Sequence, residues 1–321
     1  MRKVCLDMVY ELAKQDPRVF FIGSDLGAGT LDSFKREMPE RFFMEGVSEA
    51  TVIGIAAGLA LEGKIPYVNT IATFLTRRCF EQIAVDLCLH NANVRLIGNG
   101  GGLVYAPLGP THLAIDDLAI LRALPNMTIV APADANEMRR CMRATLTHQG
   151  PLYIRLAKGG DPIVTSDTEP FTIGRAVLMR EGADALLVTT GVTLQVALAA
   201  AALLREQGVE AAVLHLPTVK PLDAGTLIRH AAEVPAIVTV EEHTLMGGLG
   251  SAVVEALAEA GLAPAKRLKR IGIPDVFPDQ YGSQASLMRR YGITAEHAAA
   301  TVTGLLSGAL REGAPSMTLE P

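Results

Sequence analysis

A carboxylate at the start of an apolar helical segment is the first candidate for chemistry. Glu49 stands in the run Phe43-Met-Glu-Gly-Val-Ser-Glu-Ala50, and residues 51–61 that follow are rich in Ile, Ala and Gly. Such small residues permit close approach to the backbone. A Glu in a first helical turn also stabilises the helix dipole, by about 0.3–1 kcal/mol. Glu49 alone therefore does not distinguish a catalytic role from a structural one.

An aromatic and cationic cluster opens the next helical segment. It reads Thr73-Phe-Leu-Thr-Arg-Arg-Cys-Phe80 and contains Phe74, Arg77 and Phe80. Aromatic ring faces suit flat ligands, and Arg77 is placed to reach a cofactor or a substrate. Each residue has a structural alternative, because the two rings could fill the core and Arg77 could face solvent.

A loop histidine forms the third segment. His112 ends the run Gly109-Pro-Thr-His, which is followed by Asp116-Asp117 and by the apolar stretch 124–134. Histidine titrates near neutral pH and can donate or accept a hydrogen bond. A lone loop histidine is more often structural or exposed, so the case for His112 depends on its neighbours.

Taken together, the three segments resemble the pyrimidine-binding domain of transketolase and of deoxyxylulose-phosphate synthase. The resemblance covers almost the whole chain, in order and at matching spacing. Its GVSEA, TFL and GPTH elements are moderately specific singly and strong jointly. It continues through residues 153–158 into the second half, where residues 217–223, 240–243 and 247–250 resemble the family's C-terminal domain.

The resemblance implies a role for four side chains toward thiamine diphosphate and its substrate. Glu49 matches the glutamate that bonds the aminopyrimidine ring, a task that needs a carboxyl group able to share a proton. Phe74 matches the aromatic that stacks on that ring, and His112 matches the histidine that meets the substrate near the reacting carbonyl. Arg155 matches a position that binds the substrate phosphate, although pairing with a carboxylate is an equally good interpretation.

Three further residues belong to this interpretation with less support. Arg77 and Phe80 are cofactor-binding candidates because they share the cluster with Phe74. Lys158 is a weaker candidate for binding the substrate anion.

The chain departs from the family pattern at Leu108. Transketolases and deoxyxylulose-phosphate synthases carry an Asp there, and the residue after the histidine, usually Gln, is here Leu113. Sugar hydroxyls buried without partners are costly. We therefore expect Leu108 to border a substrate site for an acceptor less hydroxylated than a pentose phosphate.

The motif that holds the metal in full-length relatives does not occur in the sequence. Those relatives bind Mg²⁺ through a GDG motif and a later Asn in a preceding domain, and no GDG is present here. The resemblance therefore implies a large partner subunit that carries the diphosphate-binding domain and all the Mg²⁺ ligands. Two copies of each subunit would form a heterotetramer (α₂β₂).

Several functions stay open at this level. The leading hypothesis is transfer of a two-carbon ketol unit from a ketose phosphate to an aldehyde. The alternatives are pyruvate-decarboxylating condensation, as in deoxyxylulose-phosphate synthase, and the β subunit of a 2-oxo acid dehydrogenase. A regulatory subunit without activity is a fourth, against which the joint retention of Glu49, Phe74 and His112 argues.

Composition excludes other classes of partner. The chain has 321 residues, a formal net charge of -5 and a pI near 5.8, so no basic field would attract nucleic acid or an anionic membrane. Its four cysteines form no CxxC pair and no zinc-ligand spacing, which fits a reducing cytosol. The N-terminal segment predicts an amphipathic helix rather than a signal peptide. We expect a cytoplasmic protein with small-molecule substrates.

Short apolar runs alternate with helical stretches, which predicts an α/β fold of two domains, each a largely parallel sheet flanked by helices. The expected boundaries are 1–160 for the pyrimidine-binding domain, 161–175 for a linker, 176–311 for the C-terminal-like domain and 312–321 for a tail. The predicted strands are Val19–Ile22, Pro66–Asn69, Val94–Gly98, Thr128–Ala131, Leu152–Leu156, Ala185–Thr190, Ala211–Leu216, Ala236–Glu241 and Arg267–Ile271. The predicted helices are 2–14, 48–62, 74–91, 114–124, 134–147, 193–207, 223–232, 248–260, 283–291 and 294–306.

Overall fold

The computed structural model describes residues 1–23, 30–157, 159–262 and 264–309. Within these ranges the chain forms two open sheets, one of seven strands and one of five, each flanked by helices. The predicted α/β class with two largely parallel sheets is confirmed. In the same ranges, no helix is both long and apolar enough to span a membrane.

The elements follow one another as strands and helices in near alternation. The strands are β1 (Val19–Gly23), β2 (Phe42–Met44), β3 (Ile65–Ile71), β4 (Arg95–Asn99), β5 (Thr128–Val130), β6 (Leu152–Leu156), β7 (Val177–Arg180), β8 (Ala185–Thr189), β9 (Ala211–His215), β10 (Thr218–Lys220), β11 (Ala236–Thr244) and β12 (Arg267–Ile273). The helices are α1 (Arg2–Gln15), α2 (Asp32–Glu37), α3 (Glu49–Leu61), α4 (Ala72–Thr76), α5 (Phe80–Gln82), α6 (Asp117–Arg122), α7 (Ala135–Thr145), α8 (Thr193–Glu206), α9 (Ala224–Ala232), α10 (Leu249–Ala260), α11 (Gln284–Arg290) and α12 (Ala295–Ser307).

The first sheet has the order β10-β5-β6-β4-β3-β1-β2. Its strands are parallel except β10, which runs antiparallel to β5. The central strands β4 and β6 are buried along their whole length, as expected for a parallel sheet covered on both faces. Because parallel strands end at the same edge, the carboxyl ends of β3 and β4 bring the segments after Ile71 and Asn99 together.

The second sheet has the order β12-β11-β8-β9-β7, with only β7 antiparallel to its neighbour among the described strands. One face carries α8 and α12, whose Ala and Leu side chains form a core with β8, β9 and β11. The other face carries α9 and α10.

The two halves of the chain interlock at an edge strand. Strand β10 follows β9 of the second sheet, yet it pairs with β5 of the first, with Thr218 opposite Val130. The Ala131 N–H also donates to the Pro217 carbonyl at 2.8 Å. The predicted division into 1–160, 161–175 and 176–311 stays a prediction, and the tail 312–321 lies outside the described residues.

All nine predicted strands are present, whereas β2, β7 and β10 were not predicted. Strands β2 and β10 have three residues each, too few for a periodicity to be read. Strand β7 lies at a sheet edge and has only four residues, Val-Leu-Met-Arg, too few to separate a strand from a short apolar loop.

The prediction of one helix over 74–91 was wrong. The segment forms α4, a turn, α5 and a π-helical stretch Ile83–Leu89. Near the break, the Thr76 hydroxyl donates to the Ala72 carbonyl at 2.8 Å, an alternative partner that competes with the helix ladder. A π-helical turn accommodates an extra residue, often at a functional site.

Candidate active site

Glu49 begins α3 next to the carboxyl edge of the first sheet. Its side chain is only 4% exposed, and it borders a small closed void together with Val52, Val68, Asn69 and Leu75. Strand β2 leads into this position and pairs with β1, which places the start of α3 beside the sheet. A carboxylate taken out of water in this way needs a hydrogen-bonding partner.

That partner is Arg78, in the turn between α4 and α5. Its Nη1 donates to Glu49 Oε2 at 2.7 Å, and its side chain remains 48% exposed. The Arg78 Cζ lies 4.5 Å from the centroid of the Phe74 ring, a cation–π contact. Arg78 therefore links the buried carboxylate to the aromatic ring.

His112 also packs against the Phe74 ring. The two ring centroids are 5.1 Å apart at an interplanar angle of 65°, an edge-to-face arrangement. The loop is held by a hydrogen bond from His112 N to the Gly109 carbonyl at 3.0 Å, and Thr111 Oγ1 lies 2.9 Å from His112 Nδ1. The structure thus brings Glu49, Phe74 and His112 together, while their roles toward a cofactor and a substrate stay predictions.

Arg77, adjacent in sequence to Arg78, has different partners. Its Nε lies 2.8 Å from Asp116 Oδ2, and its Nη2 donates to the Leu113 carbonyl at 3.1 Å. Since Leu113 directly follows His112 and Asp116 lies four residues after it, the guanidinium ties the segment after the histidine to the end of α4. Its predicted part in cofactor binding stays a prediction.

Phe80 and Leu108 are both partly exposed, Leu108 more so. Phe80 opens α5 and is half-buried against the core between the first sheet and α3. Leu108 ends the short 3₁₀ turn Ala106–Leu108, one residue before Gly109, and is 50% exposed. The half-exposed position leaves Leu108 available to a ligand or another chain.

Arg155 is buried in an ion pair rather than open to a ligand. Its Nε donates to Asp117 Oδ2 at 2.8 Å and its Nη2 to Asp117 Oδ1 at 3.0 Å, while Nη2 also reaches the carbonyls of Ala114 and Glu242. Burial alone would lower the pKa of Arg155, but the Asp117 charge outweighs it and raises that pKa. Of the two interpretations of Arg155, the structure supports the pairing with a carboxylate. Lys158 lies outside the described residues.

Asp117 is the centre of a buried network that joins the two halves. The Tyr153 hydroxyl donates to Asp117 Oδ2 at 2.7 Å, and His243 Nε2 lies 3.8 Å from Asp117 Oδ1. His243 Nδ1 donates to the Thr244 carbonyl at 2.8 Å, and Nε2 accepts from the Ala119 N–H at 3.3 Å. These partners require a neutral ring, in agreement with burial lowering the pKa of His243 to about 4.

Two buried glutamates of β11 belong to the same junction. Glu242 Oε1 accepts from the Leu103 N–H at 2.7 Å and from Gln284 Nε2 at 2.9 Å. Glu241 accepts from the N–H groups of Leu249 and Gly250 and so caps the start of α10. Burial raises the pKa of each glutamate to about 7.

Two buried polar atoms near Glu49 have no partner among the described residues. They are Asn69 Nδ2, which lines the same void as Glu49, and Thr73 Oγ1, next to Phe74. Buried polar groups are normally satisfied, so these two atoms have unused hydrogen-bonding capacity beside the predicted site residues. Across the same described ranges, no cluster of His, Cys, Asp and Glu is arranged to hold a metal ion.

The sequence interpretation missed Arg78 and the Asp117–Glu242–His243 network. Arg78 stands four residues after Phe74, a spacing that places side chains on one face of a helical turn, and this signal could have identified it. The network had no such local signal, because Asp117 lies more than a hundred residues before Glu242 and His243 along the chain.

Two family models match the chain. The transketolase pyrimidine binding domain matches residues 1–160, and the transketolase C-terminal domain matches residues 174–298. Together they cover both sheets.

Relatives of two kinds are similar to the chain. The 6-deoxy-6-sulfo-D-fructose transketolase subunit SqwH of Clostridium sp. (strain MSTE9) is 37% identical over 297 residues, 92% of this chain and 91% of the relative. A subunit of the apulose-4-phosphate transketolase of Phocaeicola vulgatus is 36% identical over 92% of this chain and 94% of the relative. The 1-deoxy-D-xylulose-5-phosphate synthase of Symbiobacterium thermophilum is 41% identical over 94% of this chain, but only 46% of that longer relative is covered.

Solved structures agree with these matches. A split gene transketolase, described as an inactive beta4 tetramer, superposes with a TM-score of 0.88 at 36% identity and covers 95% of this chain and 98% of that chain. A transketolase variant from Pichia stipitis gives a TM-score of 0.74 at 19% identity, covers 97% of this chain and 46% of that chain, and supports the fold alone.

Proposed function

Because the chain belongs to the transketolase family, we propose that it is the small, pyrimidine-binding subunit of a thiamine-diphosphate-dependent enzyme of the transketolase type. The enzyme transfers a two-carbon ketol unit from a ketose, or ketose phosphate, to an aldehyde. The proposal is supported chiefly by one observation. The guanidinium of Arg78 contacts both Glu49 and the Phe74 ring, and His112 packs against the same ring.

The residues at the sheet edge fit the pyrimidine end of the cofactor. The planar guanidinium of Arg78 occupies the space between Glu49 and Phe74. If that side chain moves away, another planar group can take its place. Glu49 would share a proton with a ring nitrogen, and Phe74 would lie against the face of the ring. Thiamine diphosphate, when bound, supplies the stabilised carbanion chemistry that two-carbon transfer needs.

His112 would orient the substrate. Its Nδ1 is engaged by Thr111 Oγ1 at 2.9 Å, which fixes the ring and leaves Nε2 as the nitrogen to meet a substrate hydroxyl. A positioned donor or acceptor at the reacting carbonyl contributes typically about 10²–10⁴-fold in rate. Leu108, one residue before the loop and half exposed, would favour an acceptor with fewer hydroxyls.

The diphosphate and Mg²⁺ would be held by a large partner subunit, in an α₂β₂ complex. Support comes from the relatives: the chain matches nearly all of a protein named as a transketolase subunit, and only 46% of a single-chain synthase. Mg²⁺ would be held by oxygen ligands of the partner subunit. A reducing, cytoplasmic location fits the four cysteines, which are free and buried.

Pyruvate-decarboxylating condensation is a second candidate. It is favoured by the 41% identity to 1-deoxy-D-xylulose-5-phosphate synthase, which is higher than the 37% to SqwH. Both reactions would use Glu49, Phe74 and the same cofactor, so only the donor and acceptor distinguish them. Pyruvate consumption with release of carbon dioxide by the purified complex would select the second candidate.

The proposal is tested by producing the chain together with a candidate large subunit, which is sought among the neighbouring open reading frames as a chain that carries the GDG motif. The complex should bind thiamine diphosphate in the presence of magnesium, while the chain alone should bind it poorly. Glu49→Ala in the complex should reduce turnover at least about 100-fold, and Glu259→Ala, on the exposed face of α10, serves as the matched control. Near-normal turnover of Glu49→Ala, or tight magnesium-dependent binding by the chain alone, would contradict the proposal.

A further inference from the structure

The side chain of Arg78 fills the space that the proposed function assigns to the cofactor ring. Its Nη1 lies 2.7 Å from Glu49 Oε2, and its Cζ lies 4.5 Å from the Phe74 centroid. These are the same two side chains that would hold the aminopyrimidine. One contact is N–H donation to a carboxylate, and the other is a planar group near an aromatic ring.

A guanidinium and an aminopyrimidine bind in similar surroundings. Each is a planar conjugated group that fits against an aromatic surface. Each can also hydrogen-bond a carboxyl group, the guanidinium through its N–H donors and the aminopyrimidine through a ring nitrogen that shares a proton with the carboxyl group. Two such groups cannot share one place. We propose that Arg78 is a removable cap, whose guanidinium stands in for the aminopyrimidine in the cofactor-free chain and leaves when the ring binds.

The cap explains how a buried carboxylate is satisfied before the cofactor arrives. Glu49 is 4% exposed, and without a partner it would bear the full cost of desolvation. Arg78 supplies the partner in the free chain, and the cofactor ring supplies it afterwards. Glu49 is thus bonded in both states, and the exchange adds no unpaired buried charge.

The position of Arg78 suits this exchange. It lies in the turn between α4 and α5 rather than within either helix, and its side chain is 48% exposed. A long cationic side chain at the surface can move its head group into water while its stem stays in place. Arg77, next in the chain, cannot serve in the same way because it is bound to Asp116 and to the Leu113 carbonyl.

A cap lowers the affinity of the free chain for the ring. The apparent dissociation constant equals the intrinsic constant divided by the fraction of molecules in the open state. Removing the guanidinium should therefore tighten binding by the inverse of that fraction, about tenfold if one molecule in ten is open. This inference depends on the proposed roles of Glu49 and Phe74, so the test must separate the two.

The test uses the full chain and thiamine, which carries the aminopyrimidine but needs no metal for a diphosphate. Calorimetry measures the thiamine affinity of the wild type, Arg78→Ala, Arg78→Lys, and Arg205→Ala as a control on the exposed face of α8. Arg78→Ala should bind about tenfold more tightly, Arg78→Lys should be intermediate, and Arg205→Ala should match the wild type. In the wild type, NMR of the arginine side chains should show Arg78 released as thiamine is added. Thermal unfolding confirms that each variant is folded.

Adding Glu49→Gln to Arg78→Ala separates the two proposals. If Arg78→Ala binds thiamine more tightly and Glu49→Gln abolishes the gain, the cap is supported. If the wild type binds through Glu49 but Arg78→Ala binds equally or more weakly, Arg78 is an ordinary ring contact and the cap is refuted, while the proposed function stands. If folded Arg78→Ala does not bind thiamine, the cap is refuted, and if it binds thiamine regardless of Glu49, the proposed role of Glu49 is refuted as well.

Discussion

Arg155 and Asp117 form a two-point ion pair in the interior, with Nε 2.8 Å from Oδ2 and Nη2 3.0 Å from Oδ1. The same guanidinium donates to the Glu242 carbonyl of the second sheet, so the pair also fastens the two halves together. Removing one partner of a buried pair leaves an uncompensated charge and costs about 3–5 kcal/mol. We expect Asp117→Asn to lower the free energy of unfolding by that amount, measured by urea unfolding followed by circular dichroism.

The exposed ion pair between Arg180 and Glu210 provides the comparison for Asp117→Asn. Arg180 and Glu210 are joined at 2.6 Å, but their side chains are 25% and 53% exposed. Exposed pairs contribute about 1 kcal/mol or less, so Arg180→Ala should change the free energy of unfolding far less than Asp117→Asn. Equal effects from the two variants would show that the buried pair does not hold the junction.

The pH dependence of stability should carry the signature of Glu242. Its pKa rises from 4.5 to about 7 on burial, so the folded protein binds more protons than the unfolded chain between these values. Stability from this group is present below pH 4.5 and is lost as the pH rises through 7. His243 acts in the opposite sense, since its pKa falls from 6.5 to about 4 and stability is gained as the pH rises through that window.

Glu242→Gln isolates the first of these effects. Both hydrogen bonds to the side chain end on Oε1, so the amide oxygen of Gln can accept both. The stability of Glu242→Gln relative to the wild type should rise with pH between 4.5 and about 7 and then level off. The measurement is chemical unfolding at a series of pH values, and a difference that stays constant across them would contradict the prediction.

The approach of Glu242 to the first half of the chain requires a glycine at position 102. Gly102 has φ +67°, and a Cβ there would lie 2.5 Å from the Glu242 carboxyl carbon. Gly63 is the matched control, because it has φ +77° with no atom within 4 Å of the same position. Gly63→Ala should cost about 1–2 kcal/mol from backbone strain alone, whereas Gly102→Ala should cost clearly more. Thermal unfolding of both variants measures the difference, and similar losses would mean that Glu242 can move aside.

Leu108 offers a test of acceptor choice in the assembled enzyme. Since the side chain is 50% exposed, Leu108→Asp should change stability by no more than about 0.5 kcal/mol. The carboxylate that related enzymes carry at this position would bond a substrate hydroxyl, so kcat/KM for hydroxylated acceptors should rise about tenfold relative to simple aldehydes. Steady-state kinetics of the complex with both acceptor types gives the ratio, and an unchanged ratio would remove Leu108 from acceptor selection.

Local patterns were sufficient for most of the fold and for part of the site. Alternating apolar runs located the strands that the sheets bury, and the residues around Glu49, Phe74 and His112 were identified because each lies in a recognisable run of neighbours. Tertiary partners could not be predicted in this way. Arg155 has the same sequence context whether it meets a phosphate or Asp117, and only the fold determines that Asp117 lies beside it.

The break between α4 and α5 also explains why the partners of Arg77 and Arg78 were not predicted. A periodicity argument treats residues 74–91 as one helix and places Arg77 and Arg78 without regard to the turn. The structure instead directs Arg77 to Asp116 and Arg78 to Glu49. The two adjacent arginines thus have different partners because they lie in the turn between α4 and α5.

Strand β10 limits how the polypeptide can be divided. A fragment ending anywhere between residues 160 and 217 would lack β10, which pairs with β5. The N–H and C=O groups of β5 that bond to β10 would then be exposed to solvent. Bare strands of this kind pair with one another and aggregate. Expression of residues 1–160 alone should therefore yield insoluble material, and a gene fission within this protein would be tolerated only if the two pieces reassembled as they were made.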